Sequence, residues 1–71
     1  MKLNYYPETG SLYIELTSSP GMETHDIITG VNVELDEAGD IVGFDIDGAS
    51  KKLDLTMLET IFLPLFAAKV A

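Results

Sequence analysis

The stretch from Gly30 to Ser50, GVNVELDEAGDIVGFDIDGAS, constrains the fold more than any other part of the chain. Two runs of alternating apolar and polar residues flank one acidic turn containing Gly39, the pattern of a β-hairpin. Setting Asp36 opposite Ile41 places Leu35 against Val42, Val33 against Phe44 and Val31 against Ile46, so that all six apolar side chains share a face. The other face then pairs Asn32 with Asp45 and Glu34 with Gly43, which keeps carboxylates from lying directly opposite one another. A slip of one residue destroys the match, so the pattern specifies its own register.

A second hairpin precedes it. Leu3 and Tyr5 alternate with Asn4 and Tyr6, and Leu12, Ile14 and Leu16 alternate with Tyr13 and Glu15, around Pro7-Glu8-Thr9-Gly10. Proline presets φ at the second position of a turn, and glycine takes positive φ at its exit. Pairing Tyr6 with Ser11 sets Tyr5 opposite Leu12 and Leu3 opposite Ile14 on one face. On the other it sets Asn4 opposite Tyr13 and Lys2 opposite Glu15. Between the hairpins, Thr17–Thr29 is too long for a structureless loop in a compact domain. A turn is expected at Ser18–Gly21, after which His25–Thr29 extends the third strand or forms a short edge strand.

The C-terminal segment changes character. Thr56 and Glu59 have capping-box spacing, and Leu58, Ile61, Phe62 and Leu65 recur at helical intervals, which predicts a helix starting near Thr56. Pro64 ends or kinks it near Leu63. Leu55, Met57, Leu63, Phe66 and Val70 spread apolar surface around the cylinder, more than one face of a small sheet can cover. The expectation is an α+β fold in a single domain, 1–71. Two hairpins form an antiparallel meander sheet of about four strands over 1–50, followed by an apolar helical segment over 51–71.

A chain of 71 residues buries only about 60% of the surface its unfolded state exposes. There is no cysteine to cross-link it, and one histidine cannot hold a zinc ion alone. Oligomerisation is the remaining supplement, with a dimer the first expectation and Leu58, Ile61, Phe62, Leu65 and Phe66 as the candidate interface. Four Lys+Arg against twelve Asp+Glu give a net charge of −8, which argues against nucleic-acid binding and repels anionic membranes. A basic protein partner is compatible with that charge. No basic-then-apolar leader is visible, and the most apolar run, Ile61–Ala68, is far shorter than the ~20 residues a spanning helix needs, so a cytoplasmic location is expected.

No constellation of residues carries recognisable chemistry. Asp45-Ile46-Asp47-Gly48 is a fragment of a calcium loop without its closing bidentate Glu, so no metal site is assigned. His25 beside Asp26 invites a general-base reading with Ser18 or Ser19 as nucleophile, yet adjacent strand residues point to opposite faces. No catalytic residue and no cofactor follow. Tyr6 and Tyr13 share an outward face, and Tyr13, His25, Asp45 and Asp47 form a candidate ligand rim.

The chain resembles the family called domain of unknown function 2283, a group of small prokaryotic proteins, over most of residues 1–52. The resemblance rests on Leu3-x-Tyr5, Leu12-Tyr13-Ile14, Asp36-x-x-Gly39-x-Ile41-Val42-Gly43 and the closing Ala49-Ser50. The chain departs from the family pattern at Tyr6-Pro7, Gly10 and Phe44-Asp45. The resemblance implies an antiparallel sheet followed by a C-terminal helix and carries over no activity. The leading expectation is a non-enzymatic, self-associating interaction module. The alternatives are a small-ligand binder or enzyme with its pocket between sheet and C-terminal segment, and an acidic partner of a basic protein in the manner of an antitoxin.

Overall fold

The computed structural model describes residues 1–64 of the chain. Five strands, β1 (Lys2–Tyr6), β2 (Ser11–Glu15), β3 (Glu23–Ile28), β4 (Val31–Leu35) and β5 (Ile41–Ile46), precede one short helix, α1 (Ala49–Lys52). They form a single antiparallel sheet in the order β1-β2-β5-β4-β3.

This corrects the expected four-stranded meander in two respects. Glu23–Ile28 is a full strand, because pairing along β4 satisfies backbone groups that a loop would leave to solvent. The first hairpin adds to β5 rather than to β3, so β2 to β5 follow a Greek-key order with residues 16–22 as the long connection. That connection bends at Ser18 and Ser19, within the expected turn.

The register of β1 on β2 runs from Lys2 opposite Glu15 to Tyr6 opposite Ser11, as alternation requires. Lys2 Nζ lies 3.9 Å from Glu15, a surface ion pair. Between β4 and β5 the expected register holds from Val31/Ile46 to Glu34/Gly43, then shifts so that Leu35 pairs with Ile41. Val42 is the extra residue of a β-bulge. Its carbonyl accepts from Leu16 N–H at 2.8 Å and Thr17 N–H at 3.4 Å, which fastens the end of β2 to the bulge. The turn that follows β4 closes on Asp36, whose Oδ1 accepts from the N–H groups of Ala38 (2.9 Å) and Asp40 (3.0 Å). Gly39 has φ +86° there.

The expected C-terminal helix from Thr56 is absent from the described residues, and helix occurs earlier, at Ala49–Lys52. Leu53 is extended and ends it. The capping spacing of Thr56 and Glu59 goes unused because Asp54 captures Thr56: its Oδ1 accepts from the Thr56 N–H at 3.0 Å and from the Thr56 hydroxyl. Phe62, at φ +58°, lies outside helical geometry altogether.

Directly opposed residues share a face, so one face carries Leu3, Tyr5, Leu12, Ile14, Phe44, Ile46, Val31, Val33 and Leu35. The other is predominantly polar. α1 packs against β2, and Ala49 is fully buried. Among the described residues the only buried apolar side chains are Leu12, Val42 and Ala49. A sheet with one apolar face ordinarily acquires a second layer. Here residues 53–64 remain exposed rather than supplying it.

Candidate functional site

Two open grooves flank the first hairpin, one on each face of the sheet. The larger, of about 650 Å³, lies between the apolar face and the residues after α1, lined by Tyr5, Ser50, Leu53, Asp54, Leu55 and Thr56. Its one charged group is Asp54. Hydrogen bonds from the Thr56 hydroxyl and then from its backbone N–H hold the Asp54 carboxyl below the usual range. This is the location expected for a pocket between sheet and C-terminal segment, but none of Tyr13, His25, Asp45 and Asp47 lines it.

Three of those four residues converge elsewhere. Tyr13 and Asp45 are directly opposed on β2 and β5. With Asp47, Tyr6, Glu8, Thr9 and Ser11 they line a groove of about 410 Å³ on the polar face. His25 does not join them. It lies opposite Val33 on the other face, with Nε2 3.0 Å from Glu23 Oε2.

The ordered centre of the polar face is the trio Tyr13, Gly43 and Glu34, which spans β2, β5 and β4. The Tyr13 hydroxyl donates to Glu34 Oε2 at 3.2 Å. Its ring crosses Gly43, where a Cβ would overlap the phenol oxygen and come within 2.8 Å of Cζ. Glycine inside a strand marks such a close approach. Glu34 also lies against the backbone of Gly21, tying the β2–β3 connection to the same cluster. Burial, the hydrogen bond to Glu34 and the charges of Glu34, Glu15 and Asp45 push the Tyr13 phenol above its ordinary pKa. Glu34 and Gly43 are opposed by the register read from the sequence, which supplied the signal for this trio; the reach of Tyr13 required the β2–β5 pairing.

With its pKa raised, the Tyr13 phenol stays protonated at neutral pH and acts as a hydrogen-bond donor, and the groove beside it carries the carboxylates of Glu8, Asp45 and Asp47 and the hydroxyls of Thr9 and Ser11. Among the described residues no three His, Asp or Glu side chains gather as metal ligands, and no helix is long and apolar enough to cross a membrane.

Of the candidate interface residues, Leu58, Ile61 and Phe62 are 74%, 70% and 100% exposed. Leu65 and Phe66 lie outside the described residues. No curated protein and no solved structure matches the chain. The family model described as "Protein of unknown function (DUF2283)" matches residues 2–50, the whole sheet and the start of α1, and the chain belongs to that family.

Proposed function

We propose that this protein is a non-enzymatic interaction module that completes its core by self-association. The observation that carries the reading is the single-layer sheet: of the nine residues on its apolar face only Leu12 is buried, while Leu58, Ile61 and Phe62 stand in solvent. Light scattering across the micromolar range tests the reading, with a mass above that of one chain expected. A strict monomer at high micromolar concentration, with residues 53–71 well ordered, overturns it.

The groove between Tyr5 and Leu53–Thr56 supports a second reading, a small-ligand binder. A thermal-shift screen against metals and metabolites separates the two, because a ligand that binds only the native state raises its stability.

A further inference from the structure

The free edges of an antiparallel sheet present unpaired N–H and C=O groups, which folded proteins blunt with bulges and charges or use for pairing. Here the edges are β1 and β3, and they are not alike. The β3 register breaks between Asp26 and Ile28, leaving Ile27 as an extra residue, and this strand carries Glu23 and Asp26. β1 pairs with β2 without a break through all five residues, contains no proline, and bears Lys2 as its only charge. Every β1 residue is exposed.

The direction of the β1 backbone groups follows from the first turn. Gly10 N–H donates to the Tyr6 carbonyl at 2.8 Å, so the polar groups of Tyr6 face β2. Alternation turns those of Asn4 and Lys2 the same way and those of Leu3 and Tyr5 toward the open edge. Two copies of a chain with net charge −8 repel, and the approach through an edge without a carboxylate is the least opposed.

We propose that β1 pairs antiparallel with β1 of a second copy, about a two-fold axis passing between the two Asn4 residues. This rests on the self-association reading and adds to it an edge contact, which widens the apolar face without covering it. In that register Leu3 lies opposite the second copy's Tyr5 and Tyr5 opposite its Leu3, forming about four backbone hydrogen bonds from groups that now face solvent. The two Asn4 side chains meet on the polar face. Lys2 lies opposite the second copy's Tyr6, an ammonium beside an aromatic ring. Leu3 and Tyr5 of both copies remain on the apolar face, which becomes continuous across a sheet of twice the width.

The chain has no cysteine, so Asn4→Cys introduces a single thiol. Opposed residues in a non-hydrogen-bonded antiparallel pair have Cα atoms about 4.5 Å apart, within disulfide reach. Under mild oxidation Asn4→Cys is expected to give a covalent dimer as the main species, while Thr24→Cys on β3 does not. Adding Leu3→Pro removes an N–H on the open edge and spares the β1–β2 ladder, so the cross-link should be lost with the circular dichroism spectrum unchanged. Cross-linking through Thr24 instead of Asn4, or cross-linking at Asn4 that is indifferent to Leu3→Pro, overturns the proposal. Failure of both cysteines in a protein that light scattering shows to be oligomeric overturns this surface and leaves self-association standing. A strict monomer overturns both.

Discussion

The Tyr13 ring crosses Gly43 so closely that any side chain at position 43 must displace it. The carbonyl oxygen of Ile14 is also only 2.9 Å from where a Cβ would sit. A ring can swing aside, but a ladder carbonyl cannot move without disturbing the β2–β5 pairing. Gly43→Ala is therefore expected to destabilise the fold by about 1–3 kcal/mol, the usual range for overpacking. Urea denaturation followed by circular dichroism measures this, and an unchanged midpoint would show that the strands part freely at this point.

The same phenol predicts a pH dependence. Its pKa is raised in the folded state, so its contribution to stability is fully present below the unfolded value of about 10. That contribution is lost as pH rises through the higher folded value. Tyr13→Phe should remove this alkaline dependence, and it should cost about 0.5–1.5 kcal/mol at neutral pH through loss of the hydrogen bond to Glu34. Denaturation midpoints from pH 7 to 11 for both proteins, with the difference in phenolate absorbance, provide the check. Identical slopes above pH 10 would contradict it.

Gly39 isolates a backbone effect. Its φ is +86°, and nothing lies within 4 Å of a Cβ placed there. Gly39→Ala should cost about 1–2 kcal/mol from the left-handed conformation alone. Gly39→Asn should cost less, since asparagine tolerates that region better. Equal losses for the two would point to a contact at the turn rather than to backbone conformation.

Much of the sheet is legible in the sequence because strand alternation is a local signal. Tyr6 opposite Ser11 and Glu34 opposite Gly43 follow from matching apolar positions across a turn. The bulge at Val42 is hidden from that matching, because Val42, Phe44 and Ile46 keep their alternation while the partner of Leu35 changes. The placement of β2 beside β5 is a long-range choice between strand edges that are both apolar on one face, and no local pattern distinguishes them. The helix expected from Thr56 and Glu59 fails because Asp54, two residues upstream, competes for the Thr56 groups on which a cap depends. Alternation on β2 and β5 grouped Tyr13 with Asp45. His25 is separated from them by the β3–β4 register, which becomes visible only once β3 is recognised as a strand.

Phe62 supports the last prediction. Its ring is wholly exposed and its φ is +58°, a conformation that bulky residues adopt at a cost and keep when surrounding packing enforces it. Within one copy a fully exposed ring lacks that packing, and the self-association proposed above would supply it by burying the ring. Phe62→Ala should then leave the monomer's unfolding free energy within about 0.5 kcal/mol of wild type, as for an exposed position. It should weaken self-association by about thirtyfold, since truncating a buried aromatic anchor costs roughly 2 kcal/mol. Sedimentation equilibrium gives the dissociation constant, and chemical denaturation at the lowest usable concentration gives the monomer's stability. A large loss of monomer stability with unchanged association would place Phe62 in its own chain's core and remove it from the interface.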